Sequence, residues 1–215
     1  MTPRVTVIDY GASNLLNVVR ALEHCGAEVV LADQPEAVIN ADRLILPGVG
    51  AFADGMAELQ LKKLADPIKF FCQQGNPLLG ICLGMQMMLD SSDEFGHHEG
   101  LGLIPGKVIQ IPPKGANGEP HKIPHIGWNE LSYPEKGGNW DDTLFSRLSP
   151  GNSMYFVHSF MATPSDERHR LADCDYDGQS ICAAIRSENM TGCQFHPEKS
   201  GEPGLQIISN FIKTQ

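Results

Sequence analysis

Long hydrophobic runs are missing from this sequence of 215 residues. No apolar stretch approaches the ~20 residues that a membrane-spanning helix requires, so we expect no transmembrane segment. The apolar stretch near the start, residues 5–8, is too short for a secretory signal and is typical of a first strand. The sequence therefore predicts a cytoplasmic globular protein.

Positive charge is also scarce. The chain has 16 Lys and Arg residues against 26 Asp and Glu residues, which gives a formal net charge of −10. A strongly acidic chain is repelled by phosphate backbones and by anionic lipid headgroups. We therefore expect neither a nucleic acid nor a membrane as a partner.

Cysteine pairs of recognisable spacing are missing as well. The six cysteines lie far apart, which favours free thiols in a reducing compartment. Cys193 and His196 have a Cys-x2-His spacing, but a zinc site needs a second close pair, and none is present. The chain also contains neither of the common glycine-rich nucleotide-binding motifs. We therefore expect no metal and no cofactor.

What the sequence does contain is an alternation of strand and helix patterns in its first half. Apolar, strand-like stretches fall at residues 5–10, 28–31, 43–46 and 77–82. Helical spacing falls at residues 14–25, at 51–71 with a break near 66–67, and at 83–89. Strands that are buried on both faces and separated by helices predict a parallel sheet.

The second half has a different character. Residues 104–140 favour an antiparallel excursion or long loops, with further strands at 153–158, 169–174 and 180–185 and a closing helix at 201–212. The fold class is therefore predicted as α/β: a doubly wound, mostly parallel sheet flanked by helices, with an antiparallel excursion in the second half. We expect one domain over residues 1–215.

The pentapeptide at residues 80–84, Gly-Ile-Cys-Leu-Gly, lies between a predicted strand and a predicted helix. That context is typical of a nucleophile elbow, a tight turn that projects one reactive side chain above the sheet edge. Cys82 would be the nucleophile, and the amide of Leu83 would face a developing oxyanion. A small buried thiol without chemistry is the competing interpretation, and the pentapeptide alone does not decide between them.

A thiolate nucleophile needs a proton carrier, and His196 is the best candidate. It is followed by Pro197 and then by Glu198, whose carboxylate could turn back to orient the imidazole. A structural histidine with ordinary hydrogen bonds is the alternative. Cys82 and His196 are 114 residues apart, so only the tertiary fold can bring them together.

A glycine-rich turn follows the third predicted strand, at residues 47–52. Doubly wound folds bind ligands at this edge of the sheet. A free amide of Gly48, Val49 or Gly50 could complete an oxyanion hole with Leu83. Taken alone, the turn is better explained as an ordinary strand-to-helix connection.

In this order, the Pro-Gly-Val-Gly turn, the Gly-Ile-Cys-Leu-Gly-Met-Gln elbow and the late His-Pro-Glu resemble the class I glutamine amidotransferases. Four further segments are similar to the glutaminase subunits of imidazole glycerol phosphate synthase. They are residues 9–15 (Asp-Tyr-Gly-Ala-Ser-Asn-Leu), 124–129 (Pro-His-Ile-Gly-Trp-Asn), 155–160 (Tyr-Phe-Val-His-Ser-Phe) and 196–201 (His-Pro-Glu-Lys-Ser-Gly). The resemblance covers nearly the whole chain.

The resemblance implies a Cys82–His196–Glu198 triad that hydrolyses L-glutamine through a thioester. It implies that Leu83 and the turn at Val49 and Gly50 hold the oxyanion. By the same comparison, glutamine's α-groups would be held by three residues: Gln86, Ser159 and Phe160.

The resemblance also implies a heterodimer with a cyclase subunit, a (β/α)8 barrel that uses the ammonia in histidine biosynthesis. The 215 residues leave no room for that synthase activity, so we expect it on another polypeptide. Five positions match residues that face this partner: Asn14, Asn17, Trp128, Tyr155 and Lys199. Core aromatics and a solvated lysine are the alternatives for the last three. Two other functions stay open, a glutaminase subunit of a different synthase and a catalytically silent binding subunit.

Overall fold

The computed structural model describes residues 2–11 and 15–214. Strands and helices alternate through the first half, and strands dominate the second. The described residues form the following strands: β1 (Arg4–Ile8), β2 (Glu28–Ala32), β3 (Leu44–Leu46), β4 (Leu78–Ile81), β5 (Ser91–Ser92), β6 (His98–Glu99), β7 (Gly106–Gln110), β8 (His125–Ser132), β9 (Ser153–His158), β10 (Phe160–Pro164), β11 (Arg170–Tyr176), β12 (Gln179–Ser187) and β13 (Met190–Cys193).

The helices lie mainly between the parallel strands and at the end of the chain. They are α1 (Leu15–His24), α2 (Pro35–Ile39), α3 (Phe52–Leu61), α4 (Ala65–Gln73), α5 (Leu83–Met87) and α6 (Gly201–Lys213). Two short 3-10 helices cover Glu167–His169 and Pro197–Lys199. Among the described residues no helix is long and apolar enough to cross a membrane.

The main sheet has nine strands in the order β2-β1-β3-β4-β13-β12-β11-β8-β9. The strands from β2 to β13 run parallel, and those from β12 to β9 pair in antiparallel fashion. A second sheet, in the order β10-β7-β5-β6, lies beside it. The predicted fold class, a largely parallel α/β sheet with an antiparallel extension, is confirmed.

The parallel strands are buried on both faces, as their continuous apolar sequences predict. In β4, Leu79 and Ile81 pack into the core cluster on one face, whereas Leu78 packs into the cluster on the other. β3 divides in the same way. Helices cover both faces because the βαβ crossovers place them there. All six cysteines are free, in agreement with the prediction of thiols.

One helix boundary was predicted wrongly, and several short elements were not predicted, among them α2, β10 and β13. The interruption within residues 51–71 lies at 62–64, where Lys63 has a φ of 57°, and not at residues 66–67. Pro67 instead lies in the first turn of α4, where its missing N–H leaves no hydrogen bond unmade. The short helix α2 and the strand β10 have too few residues to show a clear period in the sequence.

The candidate catalytic residues follow neighbouring strands. β3, β4 and β13 are adjacent and parallel, and they end at Leu46, Ile81 and Cys193. Because the carboxyl ends of parallel strands meet at one edge of a sheet, the segments that follow these strands converge there. Those segments are the glycine-rich turn, the elbow and the loop that carries His196.

Candidate active site

The elbow places Cys82 in a backbone conformation that few side chains adopt. Its φ is 54° and its ψ is −110°, between the end of β4 and the start of α5. A Cβ at Gly84 would overlap the carbonyl oxygen of Leu46, and a Cβ at Gly80 would lie 2.9 Å from the backbone of Met85. Both glycines are therefore needed for β4 and α5 to meet this closely. The close approach of the strand and the helix holds Cys82 in its strained turn.

His196 is held from both sides. Its Nδ1 atom lies 2.8 Å from Oε1 of Glu198, and both side chains are almost completely buried. Its backbone N–H donates to the Tyr155 carbonyl (3.0 Å), and its own carbonyl accepts a hydrogen bond from Ser200 Oγ (2.6 Å). The carboxylate of Glu198 fixes the ring so that Nε2 is the atom left for chemistry.

Nε2 of His196 is buried and has no hydrogen-bond partner among the described residues. Burial disfavours a charged ring, but the adjacent Cys82 sulfur and the Glu198 carboxylate outweigh it and raise the pKa of His196 to about 9. The protonated ring is therefore favoured beside a cysteine sulfur. A thiolate next to an imidazolium is the arrangement that nucleophilic cysteine chemistry requires.

The N–H of Leu83, which was predicted to face an oxyanion, is already engaged within the protein. It donates to the Gly48 carbonyl over 3.3 Å, so this carbonyl lies where the prediction places the oxyanion. The turn is anchored on its other side, where the Tyr10 hydroxyl donates to the Pro47 carbonyl (2.8 Å). Gly50 has a φ of 101°, a conformation that glycine adopts without strain.

A cavity of about 310 Å³ joins the predicted residues. Among those that line it are Val49, Gly50, Cys82, Leu83, Gln86, Ser159, Phe160 and His196. Glu198 lies behind the imidazole of His196, where its carboxylate is shielded from solvent. The fold therefore brings together the predicted catalytic, oxyanion and substrate residues at one place.

Gln86 contacts the protein through its amide nitrogen. Nε2 donates to the Phe160 carbonyl (2.9 Å) and to Oε1 of Gln194 (3.0 Å). The Ser159 carbonyl accepts from the N–H of Ile111 (3.0 Å). Both carbonyls in the predicted substrate segment are thus already used by donors within the chain.

Sequence reasoning missed three polar residues at this site. Glu94 lines the cavity, and its Oε2 accepts from the N–H of Phe52 over 2.6 Å. His158 also lines the cavity, and Nε2 of Gln194 lies 3.8 Å from the Cys82 sulfur. Glu94 comes from an acidic loop with no motif, so no sequence signal would have singled it out. Gln194 stands two residues before His196, and that spacing was a usable clue.

The predicted partner face lies beside the catalytic loop. Trp128 and Tyr155 are opposite each other on β8 and β9, with ring centroids 5.9 Å apart. Trp128 is 57% exposed, so it is not the core aromatic that the alternative interpretation required. Lys199 is half-buried in the 3-10 helix after His196, and Asn17 is half-buried on α1. The predicted partner residue Asn14 lies outside the described residues.

No group of three or more His, Cys, Asp or Glu side chains that could hold a metal ion occurs within residues 2–11 and 15–214. In particular, Cys193 points into the hydrophobic core, where burial raises the pKa of its thiol well above the ordinary value.

Comparisons with known proteins agree with this geometry. The family described as "Glutamine amidotransferase class-I" matches residues 6–214. Subunit HisH 1 of imidazole glycerol phosphate synthase from Legionella pneumophila (strain Lens) is 56% identical over 209 residues, which covers 97% of this chain and 98% of that protein. The HisH subunit from Syntrophotalea carbinolica is 42% identical over 208 residues, covering 96% of this chain and 98% of that protein.

A solved structure shows the same fold at low sequence identity. PurLQS from Thermotoga maritima superposes with a TM-score of 0.72 and 23% identity, and the match covers 99% of each chain. That likeness concerns the fold alone. The family match over nearly the whole chain, together with a buried Cys–His–Glu site on the matching fold, shows that this chain belongs to the class-I glutamine amidotransferase family.

Proposed function

We propose that this chain is the glutaminase subunit of imidazole glycerol phosphate synthase and that Cys82, His196 and Glu198 are its catalytic triad. The observation that carries the proposal is the buried pair of His196 and Glu198 beside a cysteine in a strained elbow. The 56% identity to a HisH subunit selects this synthase among the amidotransferases. The intact triad argues against a silent binding subunit.

The geometry supports a two-step hydrolysis. The Cys82 thiolate attacks the side-chain amide carbon of glutamine, and His196 Nε2–H protonates the departing nitrogen, so that the C–N bond breaks and ammonia leaves. The neutral imidazole then takes a proton from water, whose oxygen attacks the thioester. Glutamate leaves, the thiolate re-forms and His196 is protonated again.

Glu94 is our candidate for the residue that binds the α-ammonium group of glutamine. Glu94 lines the cavity, and its Oε2 accepts a hydrogen bond from the N–H of Phe52. The carbonyls of Ser159 and Phe160 already accept hydrogen bonds from the protein, so they are poorer acceptors for a new cation. Gln86 would act on the substrate through its Oε1 atom or through Phe160, since its nitrogen is engaged.

The turn at Gly48 and Val49 must change before the thioester step can be fast. Rotation of the peptide between these residues would remove the Gly48 carbonyl from Leu83 and bring the Val49 N–H toward the reaction centre. Two N–H groups would then face the oxyanion, and one such donor is worth about 10²–10³ in rate. Gly50, with its positive φ, gives the turn the freedom to rotate.

The partner in this proposal is the cyclase subunit, a (β/α)8 barrel that consumes the ammonia. Exposed apolar side chains lie on β8 beside the catalytic loop, with Ile126 and Trp128 both 57% exposed. Tyr155, opposite Trp128, accepts the His196 N–H through its carbonyl, so a partner seated on this face contacts the catalytic loop almost directly. We further propose that residues 1–215 form one domain and act in the cytoplasm.

The experiment uses the reconstituted complex with the cyclase and its ribotide substrate. The Cys82→Ala variant should lose glutamine-dependent synthesis and keep synthesis that is supplied with free ammonia. Cys25→Ala, which changes a cysteine that bonds to Leu205 far from the cavity, is the matched control and should keep both. Glutaminase activity retained in Cys82→Ala would refute the assigned nucleophile.

A further inference from the structure

A chain of hydrogen bonds leads away from the cavity through two histidines that the proposed mechanism does not use. Nδ1 of His158 lies 2.8 Å from the Phe160 carbonyl, and Nε2 of His158 lies 3.0 Å from Nδ1 of His125. Nε2 of His125 lies 2.8 Å from the side chain of Asn129, whose amide nitrogen donates to the Asp175 carbonyl (2.7 Å). This hydrogen-bond chain therefore begins and ends at a backbone carbonyl.

A count of donors shows that this hydrogen-bond chain lacks one proton. Both terminal carbonyls can only accept, so the four contacts need four donors from the three side chains between them. A neutral imidazole offers one N–H and one lone pair, and the amide of Asn129 likewise offers one donor group and one oxygen. Neutral side chains thus supply three donors, and one contact stays unmade. A second proton on one of the two rings supplies the fourth.

Of the two rings, His125 is the better placed to carry this proton. It is fully buried between two aromatic rings, with centroid distances of 4.1 Å to Tyr176 and 4.9 Å to Phe156. Stacking on aromatic faces favours a cation. Burial has the largest effect and disfavours a charge on His125. The hydrogen bond to Asn129 and the carboxylate of Asp177 favour the charge, and the nearby His121 opposes it.

His158 is poorly placed to carry the charge. It is buried at the cavity wall, and burial lowers its pKa to about 3, with the rings of His125 and His196 adding to the effect. Its bond to the Phe160 carbonyl fixes a proton on Nδ1, so its Nε2 is an acceptor for His125. The four contacts are complete when His125 is an imidazolium and His158 is neutral.

The hydrogen-bond chain ends at the substrate site. The Phe160 carbonyl that accepts from His158 also accepts from Gln86, and Gln86 in turn contacts Gln194, whose amide faces the Cys82 sulfur. We propose that His125 is a positioning residue of the glutamine pocket: as an imidazolium it donates to both His158 and Asn129 and so holds the Phe160 carbonyl in place. This inference rests on the proposed function, since it names how the glutamine site is kept in shape.

Glutamine binding should depend on pH in one direction only. Burial lowers the pKa of His125 below the ordinary value of 6.5, against the smaller favourable effects of Asn129 and Asp177. Because the protonated ring completes the chain, glutamine should bind best below that pKa and more weakly as the pH rises through it. Binding is reciprocal, so glutamine should also raise the proton affinity of His125.

The first measurement is ¹⁵N NMR of the full chain with labelled histidine, from about pH 4.5 to pH 7.5. We expect His125 to carry protons on both ring nitrogens at the acid end and to lose the one on Nε2 in a single step. His158 should keep a proton on Nδ1 alone throughout. A His125 ring whose Nε2 stays unprotonated down to pH 4.5 would overturn the inference.

The second measurement is the affinity of glutamine for the Cys82→Ala chain in complex with the cyclase, over the same pH range. The Kd should rise by up to about tenfold per pH unit through the transition, the limit for one linked proton. In this background His125→Phe keeps the aromatic stack without either donor, and it should bind several-fold more weakly with no such dependence on pH. His97→Asn, at an exposed histidine outside the cavity, should behave like the parent.

The outcomes separate the two proposals. If glutamine does not bind at any pH, the proposed function fails. If glutamine binds and the His125→Phe variant keeps the pH dependence of the parent, only the role of His125 is refuted.

Discussion

The two halves of the active site differ in how much of their working geometry is in place. In the triad half, His196 already meets Glu198 at 2.8 Å, and Cys82 sits in the elbow beside them. In the oxyanion half, the Leu83 N–H is occupied by the Gly48 carbonyl. In the proposed mechanism the nucleophile and the base are therefore in place, whereas the Gly48 carbonyl occupies the Leu83 N–H that would donate to the transition state.

The difference has a structural cause. The triad half is built on the ends of β4 and β13, central parallel strands buried on both faces. The oxyanion half is a glycine-containing turn in which Pro47 and Gly48 are buried, but Val49 is 37% exposed and Gly50 has no neighbours within 4 Å of a Cβ position. A loop of this kind can change the orientation of one peptide without disturbing the core. Activity can therefore be controlled at the turn while the triad stays intact.

The largest effect should come from breaking the assembled half. Glu198→Gln keeps the shape of the side chain but removes the negative charge that orients and stabilises the His196 imidazolium. We expect kcat for glutamine hydrolysis in the cyclase complex to fall about 10³-fold. Glu202→Gln, an exposed neighbour on α6, should leave the rate unchanged. A similar fall in both variants would contradict the special role of Glu198.

A smaller loss is expected from breaking the turn. A Cβ at Gly48 would lie 2.5 Å from the Tyr10 hydroxyl oxygen and 2.9 Å from Leu83 Cβ, so Gly48→Ala must displace the turn. We expect glutamine hydrolysis to fall about 10²-fold, the worth of one oxyanion donor. Alkylation of Cys82 should be slowed less than hydrolysis, because the clash falls on Leu83 and Tyr10 and not on the side chains of Cys82 or His196. Gly138→Ala, where a Cβ meets nothing within 4 Å, is the control.

The assembled half should also leave a signature in the pH dependence of stability. The pKa of His196 in the folded chain is raised to about 9 from the ordinary 6.5. Its contribution to the free energy of unfolding is therefore complete below pH 6.5 and lost as the pH rises through about 9. The loss should be on the order of 2–3 kcal/mol. Chemical denaturation at several pH values should show it in the parent chain and not in His196→Asn.

The smallest effect should come from loosening the turn. Tyr10→Phe removes the hydrogen bond to the Pro47 carbonyl, which contributes about 1 kcal/mol. We expect the glutaminase activity of the chain alone to rise about fivefold, and stimulation by the cyclase to shrink by the same factor. Tyr133→Phe, at a partly exposed tyrosine, should leave both unchanged. A fall in basal activity in Tyr10→Phe would show that this bond supports the active turn.

Much of the fold and the clustering of Cys82, His196 and Glu198 could be predicted because their signals are local. The apolar run before Cys82 and the glycines beside it specify a strand, a turn and a helix within a few residues. The pairing of His196 with Glu198 is likewise indicated by three consecutive residues, 196–198. These predictions needed the fold only to bring two neighbouring strands together.

The features that could not be predicted depend on contacts between residues that are far apart in the sequence. Glu94 reaches the cavity because the N–H of Phe52, 42 residues away, orients it. The His125–His158 pair forms only when β8 and β9 align in one register. The interruption between α3 and α4 was misplaced because Pro67 was read as a helix breaker, whereas it stands in a first turn, where proline is tolerated.

The most direct test of the proposed function compares glutamine hydrolysis by the isolated chain and by the chain bound to the cyclase and its ribotide substrate. We predict low activity for the isolated chain, because the Gly48 carbonyl occupies the Leu83 N–H, and stimulation of about 10²-fold or more in the complex. An isolated chain that hydrolyses glutamine at the full rate would contradict it.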